Sequence, residues 1–268
     1  MLKNKNALVI GATSDFGESI TRLFAANGVA RMILSGRNTQ HLSKISDNLK
    51  NCTVETIQCD LSRSGSVAAF MQSLESMLGS SKVDIFVYCP GTCGDMDPIT
   101  YLRLEEDFMN VWNINFYCCV EIFEGIVDRM SEQGSAIFIS STNSFEPMEC
   151  GSAYCTTKAA LKEYMENKAV QLGKRNVRVN NVSPGMVETK FHDAYFESKE
   201  EEREFFEGLA NNTPLGRLAT VRGVSNSVLF LASDLSCDIT GTEIVIDCGA
   251  SLSHPLNEVN EEEEEYNS

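Results

Sequence analysis

The chain has 268 residues, 43% of them hydrophobic, and 38 acidic against 22 basic residues give a formal net charge of −16. That is enough apolar material for a sizeable core, and the acidic excess repels phosphate backbones and anionic headgroups, which excludes nucleic acid and membrane surfaces as partners. No apolar run is long enough to span a bilayer and the first, residues 7–12, is too short for a signal peptide, so a cytoplasmic protein is expected.

In chain order, a first strand at 7–10 runs into Gly11-Ala12-Thr13-Ser14-Asp15-Phe16-Gly17 and a helix at 16–27. Glycines there let a backbone approach a pyrophosphate whose charge faces a helix N-terminus, although an ordinary tight turn carries the same two residues. A second strand at 32–34 leads to Gly36-Arg37, where a carboxylate would hold a free ribose 2′-hydroxyl. Gly36 has none, and Arg37 offers its fork of donors to a 2′-phosphate, so NADP(H) is favoured over NAD(H); the alternative is a solvated loop arginine. After a helix at 39–49 and a third strand at 53–58 comes Asp60-Leu61, either the adenine side of a cofactor site or the N-cap of a helix at 64–79.

A fourth strand at 83–88 ends in Cys89-Pro90-Gly91, and one long apolar helix, 104–130, carries Asn115. A buried amide there must be hydrogen-bonded; it bridges backbone groups or holds a water. Cys118 and Cys119 on the same helix are expected to be small buried side chains. The fifth strand, 136–139, ends in Ser140-Ser141, which puts a hydroxyl at the carboxyl edge of the sheet, or simply a turn residue. Tyr154-Cys-Thr-Thr-Lys158 follows on a helix at 152–173, phenol and ammonium one turn apart on one face. A nearby ammonium favours the phenolate, so Tyr154 is a candidate general acid/base for a substrate oxygen.

A sixth strand at 178–182 precedes Pro184-Gly185, with Val187 and Thr189 just beyond, a helix follows at 222–233 and a last strand at 243–246. Strand and helix alternate throughout, which specifies an α/β doubly wound Rossmann-type fold, a seven-stranded parallel sheet with helices on both faces and its binding site beyond the carboxyl ends of the strands. One domain is expected over 1–250, with 186–215 as a substrate lid. The lid's acidic stretch, 197–207, holds Phe205 and Phe206 and follows Phe191, Tyr195 and Phe196, the pattern of a mobile amphipathic helical pair over a cleft. The extension 251–268 ends in an acidic run, 258–268, expected to be a disordered tail. Ten cysteines without a CxxC pair, and His41, His192 and His254 without ligand spacing, point to reduced thiols and no metal.

These ordered positions resemble the short-chain dehydrogenase/reductase family nearly end to end. Gly11–Gly17 resembles its TGxxxGxG turn, Asp60 its adenine-side aspartate, Gly91 the end of its NNAG motif, and Asn115, Ser141, Tyr154 and Lys158 its catalytic four. The segment 178–185 with Thr189 resembles its nicotinamide-side PG motif, and Pro214–Arg217, Thr240-Gly241 and Asp247 its C-terminal segment. The resemblance implies sheet order 3-2-1-4-5-6-7, a homotetramer or dimer, and reversible interconversion of a carbonyl and an alcohol by hydride transfer. It also implies roles: Tyr154 as acid/base, Lys158 lowering its pKa and binding the nicotinamide ribose, Ser141 polarising the carbonyl, Asn115 anchoring a relay water.

Several residues depart from that pattern. Ile10 stands for Thr, Asp15 for the middle glycine, Tyr88-Cys89-Pro90 for the start of NNAG, and Cys248 for a glycine. A carboxylate at Asp15 either repels pyrophosphate or turns outward and favours the helix dipole. The family's variable loops suggest Cys93, Met96, Asn143, Phe145, Met148, Met186, Phe191, Tyr195 and Phe196 as walls for a medium-sized, partly apolar small-molecule substrate, with core packing as the alternative for each. Competing functions are a 3-oxoacyl-type reductase, disfavoured by the scarcity of basic docking surface, a silent dinucleotide-binding sensor or scaffold, and an acidic interaction module.

Overall fold

The computed structural model describes residues 1–94, 105–148 and 151–252, without the side chains of 105, 106 and 193–195. Met96, His254, the acidic tail and the Tyr195 side chain lie outside the described residues.

Seven strands form one parallel sheet in the order β3-β2-β1-β4-β5-β6-β7: β1 Asn6–Ile10, β2 Arg31–Gly36, β3 Thr53–Gln58, β4 Val83–Tyr88, β5 Met130–Ile139, β6 Arg178–Pro184 and β7 Glu243–Ile246. The strand order reverses between β1 and β4, which opens a crevice above their carboxyl ends. The inner strands are apolar on both faces because helices cover both. On one face, Leu8, Phe86 and Phe138 pack against α3 (Ser66–Leu78), α5 (Cys118–Ile126) and α6 (Ser152–Leu172); on the other, Val9, Leu34 and Ile137 pack against α1 (Asp15–Ala26), α2 (Thr39–Asp47) and α8 (Val221–Ala232). Phe86, Phe123 and Phe138 stack with centroids 5.1–5.7 Å apart and none is exposed. Each buried ring contributes about 1.5–3 kcal/mol, which fixes α5 on the sheet below the site.

The long helix expected at 104–130 is broken into pieces. α4 (Glu105–Trp112) passes into a π turn at Asn113–Tyr117, then α5, then a 3-10 turn at Val127–Arg129, and Met130 already belongs to β5. β5 starts early because its register with β4 shifts between Val83 and Ile85, a bulge that absorbs extra residues. The segment 186–215 contains a 3-10 turn, Lys190–Tyr195, and α7 (Lys199–Asn211), capped by the Ser198 hydroxyl and carrying Glu200, Glu201 and Glu202 in its first turn, where acids suit the helix dipole.

Candidate active site

The glycine turn lies at the carboxyl end of β1. Gly11 has φ +77°, and a Cβ on it would meet the Pro90 ring at 3.0 Å; a Cβ on Gly17 would stand 2.2 Å from the Gly11 carbonyl oxygen. Both positions therefore need glycine, and the turn they form runs directly into the N-terminus of α1. The Ser14 hydroxyl closes the turn, donating to the Gly11 carbonyl at 2.8 Å and accepting from Gly17 N–H at 3.0 Å. Thr13 packs on Gly36, where an added Cβ would meet its Oγ1 at 2.8 Å, so the end of β2 has no room for a larger residue. Phe16 and Cys89 pack on the core beneath the turn.

Asp15 takes the outward orientation. Its Oδ2 accepts the Lys190 backbone N–H at 2.9 Å and its Oδ1 lies 4.0 Å from the Lys190 ammonium, joining the turn to the 3-10 turn Lys190–Tyr195. Beyond β2, Arg37, Gln58, Asp60, Arg63 and Ser66 line an open cavity of about 630 Å³. Asp60 is not a helix cap, because α3 starts at Ser66 behind Gly65. Its carboxylate accepts from Ser62 N–H and Oγ and pairs with Arg63 at 3.1 Å; the Ser62 hydroxyl and the Arg63 and Arg37 guanidiniums hold its pKa below the usual value despite partial burial. Leu61 is buried, and its carbonyl accepts the Asn113 amide at 3.0 Å.

At the ends of β4 and β5 the catalytic candidates converge. Asn115 sits in the π turn, fully buried. Its Oδ1 accepts Thr92 N–H at 2.8 Å, and its Nδ2 donates to the Thr92 carbonyl at 2.9 Å and to Thr157 Oγ1 at 3.1 Å. Both amide donors are thus committed to protein, the backbone-bridging alternative. Thr157 in turn donates to the Tyr154 carbonyl at 2.7 Å. Tyr88, in place of an NNAG asparagine, donates its hydroxyl to the Ile114 carbonyl at 2.7 Å and so braces the π turn from the strand below.

Lys158 is buried, with Nζ donating to the Ile139 carbonyl at 3.0 Å and lying 5.5 Å from the Tyr154 ring centroid. Burial pulls its pKa from 10.5 down to about 8, with the Cys119, Cys93 and Cys89 thiols acting the other way. A Cβ on Gly91 would stand 3.4 Å from this Nζ and 3.9 Å from Asn115 Oδ1, so Gly91 marks the floor between the two. Ser141, at the end of β5, is buried; its hydroxyl accepts Asn143 N–H at 3.1 Å and donates to Asn143 Oδ1 at 3.2 Å. Cys118 and Cys119 are buried thiols, as expected from the sequence.

At the end of β6, Pro184 and Gly185 approach Asp247, whose Cβ would lie 2.7 Å from a Cβ on Gly185. Val187 is buried and bridges Ala219, and Thr189 precedes the 3-10 turn Lys190–Tyr195. Phe191 is 39% exposed, with its ring centroid 6.4 Å from that of half-buried Tyr154. Phe145 is 45% exposed under the Lys162 ammonium. Phe196 packs against Phe205 and Phe206, with ring centroids 5.2 and 5.7 Å away. Cys248 adopts φ +58°, the left-handed region that explains why a glycine suits this position.

A family model described as enoyl-(acyl carrier protein) reductase matches residues 11–251. A tropinone reductase homologue of Arabidopsis thaliana is 28% identical over 253 residues, 94% of this chain and 95% of that protein. The oxidoreductase UcpA of Escherichia coli K12 is 30% identical over 269 residues, 96% and 98% of the two chains. A 3alpha-hydroxysteroid dehydrogenase of Mediterraneibacter gnavus is 27% identical over 260 residues, 94% and 99%. Among solved structures, a short-chain type dehydrogenase/reductase from Mycobacterium ulcerans superposes with TM-score 0.82 at 26% identity, covering 94% of this chain and 92% of that one. Levodione reductase, at 23% identity and TM-score 0.85 over 95% and 100%, shares the fold. With a family match over most of its length and a sheet in the expected order, the chain belongs to the short-chain dehydrogenase/reductase family and is an NAD(P)-dependent oxidoreductase.

Proposed function

We propose that the protein is an NADPH-dependent reductase of a medium-sized, partly apolar ketone, with Tyr154 as its general acid. The observation that carries this reading is Lys158, an ammonium buried against the Ile139 carbonyl and 5.5 Å from the Tyr154 ring, at the carboxyl edge of the sheet beside the glycine cradle. A bound nicotinamide supplies the hydride. Tyr154 gives its phenolic proton to the carbonyl oxygen and becomes a phenolate, which the Lys158 charge stabilises until a solvent proton restores it. The Ser141 hydroxyl turns from Asn143 Oδ1 to donate a hydrogen bond to the same oxygen as negative charge develops there. Asn115 holds the segment after Gly91 against α6, keeping Lys158 in place.

Gly11, Thr13, Ser14, Asp15, Phe16 and Gly17 form the pyrophosphate turn; Asp60, Leu61, Cys89 and Gly91 line the adenine and ribose side; Pro184, Gly185, Val187 and Thr189 flank the nicotinamide. The glycine turn fits such a dinucleotide because it stands at the N-terminus of α1, whose free N–H groups suit an anion, and its glycines put no side chain between that backbone and a ligand. Arg37 and Arg63, at a cavity with Gly36 in place of a carboxylate, favour the 2′-phosphate. Phe191 and Phe145 form apolar walls of the substrate cleft, and residues 186–215 act as its lid.

The test is cofactor consumption with NADPH and NADH against tropinone, a keto steroid and a cyclic diketone. Turnover is expected with NADPH. Arg37→Ala is expected to weaken NADPH binding about 10–100-fold, the equivalent of one or two charged hydrogen bonds, while leaving NADH binding nearly unchanged. Equal loss for both cofactors would assign Arg37 no part in 2′-phosphate recognition.

A further inference from the structure

Behind the candidate catalytic groups, one carboxylate is shared by four elements. Glu243, the first residue of β7, has a side chain only 10% exposed. Its Oε1 accepts from Ser144 Oγ at 2.9 Å and from Ser183 Oγ at 2.5 Å, and its Oε2 pairs with the Lys162 ammonium at 3.0 Å. Each donor lies close in sequence to a group of the proposed site. Ser144 ends the 3-10 turn Thr142–Ser144, whose N-cap is Ser141. Ser183 precedes Pro184 and Gly185. Lys162 lies on α6, one turn beyond Lys158 and two beyond Tyr154, and its ammonium also covers the Phe145 ring at 6.0 Å. The carboxylate also holds the Lys162 pKa above its ordinary value, mainly through this hydrogen bond.

A buried charge is expensive unless it is paired and hydrogen-bonded, and here three donors from three elements meet that requirement at once. The arrangement sets where the Ser141 turn stands relative to the α6 helix that presents Tyr154. A displacement of about 1 Å between groups that must act on one oxygen costs on the order of a hundredfold in rate. We propose that Glu243 is a positioning residue for catalysis, fixing the Ser141 hydroxyl relative to Tyr154 through Ser144 and Lys162 without touching substrate or cofactor. This inference rests on the reading of Tyr154 and Ser141 given above.

The test compares Glu243→Val, Ser144→Ala, the double variant and Tyr154→Phe. For each, kcat on the fastest ketone of the panel, the NADPH dissociation constant by fluorescence and amide hydrogen exchange at Asn143 and Ser144 in the cofactor-free protein are measured. Glu243→Val is expected to lower kcat about tenfold or more at an unchanged NADPH dissociation constant, with faster exchange in the 142–144 turn. Ser144→Ala, which removes one arm only, is expected to lower kcat roughly threefold, and the double variant to fall no further than Glu243→Val, since the two act through one contact. A kcat per folded molecule within about twofold of the parent in Glu243→Val, or full additivity in the double variant, overturns the inference. If Glu243→Val does not fold, Ser144→Ala decides: an unchanged kcat and unchanged exchange overturn it. Tyr154→Phe at full rate overturns the catalytic reading itself, whereas an inactive Tyr154→Phe beside a fully active Glu243→Val overturns only the role of Glu243.

Discussion

Lys158 is the residue in which fold and chemistry oppose each other most directly. Its ammonium is buried and donates to the Ile139 carbonyl at 3.0 Å, and burial takes its pKa from 10.5 to about 8. The folded protein therefore releases this proton before the unfolded chain does. Between pH 8 and 10.5 the unfolded state binds more protons, so this group makes the cofactor-free protein more stable as pH rises through that window. The buried Cys89, Cys118 and Cys119 thiols, whose pKa values burial raises, act with the opposite sign in this range, so the Lys158 contribution is read as a difference: in chemical denaturation Lys158→Met is expected to make the slope of stability against pH more negative than the parent's. A slope unchanged in the variant would place the titration elsewhere. The same burial is useful in the proposed reaction, because a cation shielded from water acts more strongly on the neighbouring phenol.

At the scale of elements, the strands were legible because each is a short apolar run bounded by turn residues, and alternation with helices specifies a parallel sheet; their order came only with the resemblance to the family. The placing of Ser141 just past β5, and of Tyr154 and Lys158 one turn apart near the start of α6, follows from the same pattern, while their catalytic roles remain the proposal made above. Two features were not legible. The π turn at Asn113–Tyr117 hides in an apolar stretch whose periodicity reads as one helix, and only the tertiary contacts of Asn115 and the Tyr88 hydroxyl at Ile114 account for the extra residue it accommodates. The Glu243 cluster joins positions 60 to 99 residues apart and leaves no local pattern. The departure at Asp15, ambiguous in sequence, is decided by its contact with Lys190 N–H. That contact links the glycine turn to the lid, so Asp15→Gly is expected to speed hydrogen exchange at the Lys190 amide by about tenfold, a loss near 1.4 kcal/mol, while Asp15→Asn, which keeps an acceptor, changes it little. Equal rates in all three proteins would show that the contact does not hold the lid.

For the whole molecule, no helix among the described residues is long and apolar enough to cross a membrane. Its exposed apolar residues include Met109 at 56%, Tyr117 at 52% and Val170 at 83%, on the 105–126 helical run and on α6, which pack on each other. Large side chains left open there suit association of copies through these helices, in line with a dimer or tetramer. Native mass measurement is expected to give one of those states, and Val170→Asp to shift it toward smaller species; a monomeric parent would contradict this. The central claim is narrower: a phenol held beside a buried ammonium moves the proton of a carbonyl reduction. It is tested most directly by single-turnover NADPH oxidation in Tyr154→Phe, which keeps the ring and removes only the hydroxyl. The account predicts a rate lower by about 10²–10⁴-fold with NADPH still bound, and a parental rate would contradict it.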